Sequence, residues 1–562
     1  MQNSKYEELY KLLNIDQKEV VDSIEGPVLV VAGPGTGKTQ TLSLRVANIL
    51  KTQDINPENI LCLTFSESGV EQIKRRLNLV IGSSEANNVY VSTYHGFGND
   101  LLNHNLINTN LFNDLNAIND LGATHIIKTI LDKLPYSSSL KKNNFIKDIK
   151  STISEAKKAY LTYQDIQEIA EANISYTLEA TKITLKLSDK LRLVSKKSVD
   201  DFRFLLKELK DIKDNNKDES FKTIVINELK DALDFFDNEA STKLITKWKS
   251  KYLAKNELDQ QIFNSLDQNK KLIDLSEIFR LYQEELEKQK LYDFDDMILN
   301  SIKLLKENPN IKYSLQERFQ YILVDEFQDT NASQNNLLKL LIDNPVNEKR
   351  PNILVVGDDD QAIFAFQGAK YSHMLEFYND YNDVKVITLK TNYRSTDEII
   401  EISKKIANKI ESRLDHDLNQ IDKNFKSSST KNGQIQRLHF KTELEQNSWL
   451  SNELKKNTKN DSAVISTKHR DLEKIANLLE EQGLAIDYEK RENILENQYF
   501  MELVYLAKTI IAIKQKDHHS INYLMPIVLN FEFLNLPTEL IWQMSWQSKD
   551  NHTPWSDVSL NL

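Results

Sequence analysis

The sequence predicts an α/β protein: a parallel-sheet domain interrupted by a large helical insertion and followed by a second, partial sheet domain. Two observations predict it. Short, β-branched apolar runs recur, each followed by a helical pattern, at PVLVVA (27–32), NILCLTF (59–65), NVYVST (88–93), FQYILVD (319–325) and NILVVG (352–357). Unbroken apolar runs of this length suit strands buried on both faces of a parallel sheet. Between residues 104 and 276 the text changes to long Lys/Glu/Asn-rich segments with helical periodicity, which reads as an insertion. After it the strand pattern resumes, and VKVITL (384–389), IQRLHF (435–440) and SAVIS (462–466) predict a second sheet domain beginning near residue 386. The expected domains are therefore 1–103 with 277–385, the insertion 104–276, a partial second sheet domain 386–489, and a helical stretch 490–562.

A chain of 562 residues exceeds one compact core, so several folding units are expected. With 40% hydrophobic and 28% charged residues but only 13 Gly and 10 Pro, the composition excludes a disordered or fibrous chain. The N-terminus has no apolar signal region, and no run of about 18 apolar residues occurs, so a cytoplasmic protein without a membrane span is expected. The single cysteine, Cys62, excludes an intramolecular disulfide and a cysteine zinc cluster; its apolar run makes it a small core residue. A net charge of −11 argues against a surface that binds nucleic acid everywhere, since phosphate contacts need locally positive potential. One basic patch, KKNNFIKDIKSTISEAKK (141–158), carries Lys141, Lys142, Lys147, Lys150, Lys157 and Lys158. It reads either as a solvated helix face or as a contact to a DNA backbone.

The strongest local signal is Ala32-Gly33-Pro34-Gly35-Thr36-Gly37-Lys38-Thr39, between the run PVLVV and the helical pattern TQTLSLRVANIL. Glycines let backbone N–H groups turn inward around phosphate oxygens. Lys38 brings a point charge to the β- and γ-phosphates, and Thr39 offers a hydroxyl to Mg²⁺. A carboxylate site is needed to hold the metal and activate water, and Asp325-Glu326-Phe327-Gln328-Asp329 ends the run FQYILV. There Asp325 would reach Mg²⁺ and Glu326 would take a proton from the attacking water, although acidic residues after a strand also serve as helix caps. Lys38 and Asp325 stand 287 positions apart, and their meeting at one nucleotide requires the intervening helices to be an insertion. Gln361, after the run NILVVG, is the candidate γ-phosphate sensor, and Arg394 in Thr391-Asn392-Tyr393-Arg394-Ser395-Thr396 the candidate arginine finger. Each, read singly, also fits an ordinary loop.

Taken in order, LNIDQKEVV, AGPGTGKT, ILCLTFSESGVEQIKRRL, VSTYHGF, LYDFDDMI, ILVDEFQDTN, VVGDDDQAIFAFQGA and LKTNYRST resemble the successive motifs of UvrD/Rep-type superfamily 1 DNA helicases. The resemblance covers roughly residues 8–400. It implies a RecA-like P-loop motor domain 1A with the helical insertion 1B at 104–276, then a partial RecA-like domain 2A and the start of a helical domain 2B. It implies that Gln17 reads the adenine edge and Tyr393 stacks on the ring. Ala32, Gly33, Pro34, Gly35, Thr36, Gly37, Lys38, Thr39, Gln40 and Gln328 would complete the ATP and Mg²⁺ site, with Asp325, Glu326, Gln361 and Arg394 in hydrolysis. Phe65, Tyr94, His95, Phe97, Phe364 and Phe366 fall in motifs whose aromatics stack on single-stranded DNA, a sequence-tolerant contact because every base has a π-face. These aromatics also fit a core role.

The sequence departs from the pattern in three places. Gln367 stands where arginine is frequent before Gly-Ala, and Gln40 where arginine is frequent after Lys-Thr. Between Ser462 and Leu562 no stretch matches the later family motifs, so the chain is expected to stop inside 2B, truncated before the last motor motifs. The implied function is ATP-dependent translocation on single-stranded DNA and unwinding at duplex junctions, 3′ to 5′, in repair or recombination with protein partners the sequence does not identify. The rival readings are a helicase–nuclease subunit whose nuclease lies beyond Leu562, a non-catalytic ATP- and DNA-binding fragment, and an unrelated P-loop transporter or kinase.

Overall fold

The computed structural model describes residues 3–103, 106, 115–136, 138–141, 145–213, 221–363, 372–410, 413–430, 433–456, 461–488, 497–550 and 554–558. Five of the apolar runs become strands β1 (Val28–Ala32), β2 (Ile60–Thr64), β3 (Tyr90–Thr93), β4 (Tyr321–Val324) and β5 (Ile353–Gly357). A sixth strand, β6 (Lys385–Leu389), completes a sheet of order β6-β1-β5-β4-β2-β3. All its pairings are parallel. Side chains alternate across it: Val28 and Val30 pack with Leu42 and Ile49 on one face, while Leu29 and Val31 pack with Leu63, Phe97 and Ile302 on the other. Burial on both faces is why these strands read as continuous apolar runs rather than as alternating ones. Cys62 lies fully buried in the first of these cores, and burial pushes its thiol far above the ordinary range.

The membership of β6 corrects the sequence reading. VKVITL does not open a second sheet: Val28 to Ala32 pair in register with Lys385 to Leu389, so the run adds an edge strand to the first. IQRLHF and SAVIS form no strand either, and most of their residues are exposed. A strand needs a neighbouring strand to satisfy its backbone groups, and among the described residues neither run has one. The chain divides into two compact units, 1–435 and 436–562. The second unit holds helices Glu443–Lys456, His469–Glu481, Gln498–Gln515, His518–Leu529 and Thr538–Asp550.

The insertion is helical, as expected. Its helices include Asp120–Lys133, Ile146–Lys158, Tyr163–Lys186, Val199–Asp211, Phe221–Glu239 and Lys243–Tyr252. The expected end at residue 276 lies within helix Leu266–Lys288, whose Leu275, Phe279 and Tyr282 belong to an insertion core. The base closes farther out, where Asn116–Ala117 pairs with Leu291–Tyr292. A second insertion core gathers Phe202, Leu205, Leu229 and Trp248. Among the described residues no helix is long and apolar enough to cross a membrane.

Phe202 is fully buried, with its ring edge-on to Trp248. Phe202→Ala is expected to lower the unfolding free energy of the insertion by about 3–5 kcal/mol, read by urea denaturation followed by tryptophan emission. An unchanged midpoint would show that this core does not hold the insertion together.

Candidate active site

Three adjacent strands, β1, β5 and β4, end at one edge of the sheet, the place where open parallel sheets present ligand crevices. The loop after β1 runs from Gly33 into helix Lys38–Thr52. Gly35 and Gly37 take positive φ values of 70° and 84°, and a Cβ on Gly35 would lie 2.6 Å from Cβ of Arg394. A side chain at Gly35 would thus be both strained and obstructed. The buried Gln17 donates from Nε2 to the Thr36 carbonyl at 2.9 Å and accepts at Oε1 from the Asn14 N–H at 3.2 Å. In this geometry its amide braces the loop, and the adenine contact expected of it would require one of these bonds to be exchanged. Ala32 is the buried last residue of β1, Pro34 is exposed, and Thr39 and Gln40 are half-buried in the first helical turn.

Lys38 Nζ lies 2.7 Å from Glu326 Oε2, an ion pair spanning 288 residues of sequence. Glu326 sits just past β4 in the left-handed region, φ 50°. It also accepts from Gln328 Nε2 at 2.9 Å, and Gln328 Oε1 accepts from the Asp358 N–H at 3.0 Å. Asp358 Oδ2 in turn accepts from Gln361 Nε2 at 2.5 Å. A continuous polar chain therefore links the lysine loop, the β4 carboxylates and the loop after β5. Asp325 is buried; burial, and then the neighbouring Glu326, push its carboxyl up to about 6. Its Oδ1 accepts the Glu326 N–H at 3.0 Å. A buried carboxylate with an ammonium and a threonine hydroxyl on the facing loop suits a hard divalent cation bound to phosphate oxygens. Asp329 is likewise raised to about 6 by burial and Glu326.

The segment Thr391–Thr396 packs directly on the phosphate loop. Asn392 donates to the Pro34 carbonyl at 2.7 Å, and the Tyr393 N–H donates to the Gly35 carbonyl at 2.8 Å. Asn392 Oδ1 accepts the N–H groups of Arg394 and Ser395, both at 2.8 Å. Tyr393 is exposed, with its hydroxyl accepting from Asn14 Nδ2 at 3.0 Å, and Arg394 is exposed beside Gly35. Sequence reasoning named the tyrosine and arginine but missed Asn392, whose buried amide ties their turn to the loop. It also missed Phe425, whose ring lies over Gly33. The acidic run Asp358-Asp359-Asp360 could by proximity hold a metal, but Asp359 and Asp360 are already paired with protein cations. Lys423 reaches Asp359 at 2.5 Å, and Arg413 grips Asp360 through two bonds of 2.8 Å.

The other half of the same sheet edge carries aromatics. Thr64 of β2 pairs with Thr93 of β3, so Phe65 and Tyr94-His95 leave adjacent strand ends. Phe65 is half-buried. His95 stacks on Phe294 with ring centroids 3.9 Å apart and planes 19° apart. Tyr94 and Phe97, expected to meet bases, are instead fully buried in the core under the sheet, and a ring with no exposed face cannot receive a base. Phe294, 59% exposed, is the aromatic that the sequence reading missed; the signal was its place in LYDFDDMI. Phe364, Phe366 and Gln367 lie outside the described residues. Within the basic patch one residue departs from both expectations: Lys157 is fully buried between Asp293 and Asp296, so it is neither part of a solvated face nor a phosphate contact.

Comparison with known proteins matches the UvrD/REP helicase N-terminal domain over residues 13–382 and the UvrD-like helicase C-terminal domain over residues 387–552. The ATP-dependent DNA helicase PcrA of Staphylococcus epidermidis is 25% identical over 449 residues, which are 80% of this chain and 46% of that protein. The ATP-dependent DNA helicase PcrA of Staphylococcus aureus is 25% identical over 395 residues, 70% of this chain and 40% of that protein. The chain thus spans under half the length of these relatives. The second match places sequence of the family's C-terminal domain at residues 387–552, including the stretch after Ser462 in which the sequence reading found none of the later motifs.

Burial, and then the charge of Lys158, lower the His95 imidazolium from its ordinary range to about 4. The folded state therefore favours neutral His95. The associated stability is present above the unfolded pKa near 6.5 and is lost as pH falls from there toward 4. Thermal melts from pH 7 to 4 are expected to show a steeper decline for the wild type than for His95→Phe in that window. Parallel declines would mean that the stacked ring does not resist protonation.

Proposed function

Since the chain belongs to the UvrD/Rep helicase family, we propose that it is an ATP-dependent single-stranded-DNA translocase and DNA helicase, with ATP and Mg²⁺ at the loop following β1. The observation that carries the reading is the 2.7 Å contact between Lys38 and Glu326, which brings the phosphate-binding lysine and the water-activating carboxylate to one point. Both PcrA relatives are described as ATP-dependent DNA helicases, and this activity is extended here to the present chain.

When ATP binds, Lys38 exchanges its Glu326 partner for β- and γ-phosphate oxygens, and the loop N–H groups turn toward the same anion. Thr39 and Asp325 would hold a magnesium ion, which would supply positive charge to offset that developing on the phosphates. Glu326, released from the ammonium, accepts a proton from the attacking water. Gln328 keeps that carboxylate oriented and carries its position to the Asp358 backbone, next to Gln361. Gln361 then senses the γ-phosphate, Arg394 stabilises its charge, and Gln17 and Tyr393 hold the adenine.

For the DNA strand, Phe65, His95 and Phe294 form the stacking path along the β2–β3 edge, with Phe364 and Phe366 as further contacts. Translocation runs 3′ to 5′ toward a duplex junction, in repair or recombination; both features derive from the family resemblance.

Lys38→Ala and Glu326→Gln are expected to lower DNA-stimulated phosphate release by about 10²–10⁴-fold, measured at saturating ATP and oligodeoxythymidine. Full turnover in either variant would remove the residue from the mechanism.

A further inference from the structure

Lys157 belongs to the helical insertion, yet its ammonium serves the sheet domain. It stands at the end of helix Ile146–Lys158 with its side chain fully buried, 2.6 Å from Asp293 Oδ2 and 2.7 Å from Asp296 Oδ1. The Tyr282 hydroxyl also donates to Asp293 Oδ2, at 3.1 Å. The two carboxylates then close the turn on itself: the Asp293 N–H donates to Asp296 Oδ2 at 3.1 Å, and the Asp296 N–H to Asp293 Oδ1 at 3.0 Å. From one helical turn earlier, Ser154 donates to Asp295 Oδ2 at 2.6 Å. Three of the four residues 293–296 are thus tied to the insertion helix, and the fourth, Phe294, is exposed against His95.

The geometry points to Lys157 as a positioning residue for DNA stacking: it fixes the 293–296 turn so that the Phe294 ring stays on His95 at the strand path. Charge explains the choice of residue. Two carboxylates three positions apart, Asp296 buried and Asp293 half-buried, repel one another, and a single ammonium between them offsets the repulsion and fixes the turn's shape. An exposed aromatic on an unbraced turn would have to be ordered anew for each base it receives, a cost that weakens stacking. The insertion thereby sets the affinity of a surface it does not itself supply.

This inference rests on the proposed strand path, so the test separates the two. The concentration of oligodeoxythymidine giving half-maximal ATPase stimulation is measured for the full chain and for Phe294→Ala, Lys157→Met and the double variant. Phe294→Ala is expected to raise that concentration about tenfold, within the ~1–3 kcal/mol of one stacked base. Lys157→Met is expected to raise it similarly with DNA-independent turnover unchanged, and the double variant to be no worse than Phe294→Ala. An unchanged value for Phe294→Ala would overturn the strand path. A shift for Phe294→Ala with none for Lys157→Met, or a double variant whose losses multiply, would overturn the positioning role alone. If Lys157→Met does not yield folded protein, Ser154→Ala, which removes only the hydrogen bond to Asp295, is expected to raise the same concentration about two- to threefold. No change there would overturn the proposal.

Discussion

The parallel sheet depends functionally on a single constraint: strands β1, β5 and β4 must lie side by side with their C-terminal ends level. The register that pairs Val31 with Gly357 and Val324 with Val355 puts the lysine loop, the sensor loop and the acidic pair at one edge. The ion pair between Lys38 and Glu326 follows from that register, and so does the polar chain through Gln328 to Gln361. A one-residue slip in β5 would turn its side chains to the opposite faces and break both. Backbone pairing, rather than any side-chain preference, therefore decides whether the site exists.

The same edge explains the electrostatics. Asp325 and Asp329 are buried next to Glu326 and raised in pKa, a cost that a structural site would not retain without compensation. Asp359 and Asp360, a few residues past β5, are compensated by Lys423 and Arg413. The contrast separates the two acidic groups. One is matched by protein cations and fastens residues 413–423 to the sheet domain. The other is matched in part by Lys38 and is suited to a metal ion and a phosphate.

Much of this was legible in the sequence because parallel strands buried on both faces leave an unmistakable apolar run, and because a phosphate loop needs glycine at fixed spacing. All five runs named for the first sheet became its strands. What was not legible depended on long-range placement. VKVITL carries no mark of which sheet it joins, and only its pairing with Val28–Ala32 decides it. IQRLHF and SAVIS look like strands by composition but have no neighbouring strand among the described residues. Tyr94 and Phe97 sit in the same short motif as His95, yet the helix after β3 turns them into the core and His95 toward the edge. Lys157 looked like one basic residue among six, and its two carboxylate partners lie more than 130 positions away.

The proposed convergence of the two distant motifs on one metal–nucleotide complex is tested directly by electron paramagnetic resonance, with Mn²⁺ replacing Mg²⁺ and a non-hydrolysable ATP analogue as the nucleotide. The expected result is one tightly bound Mn²⁺ per chain, with phosphorus couplings, that is lost on Asp325→Asn and also on Lys38→Ala. Retention of the same bound-metal spectrum in both variants would contradict a shared site and would leave the two motifs as unrelated loops.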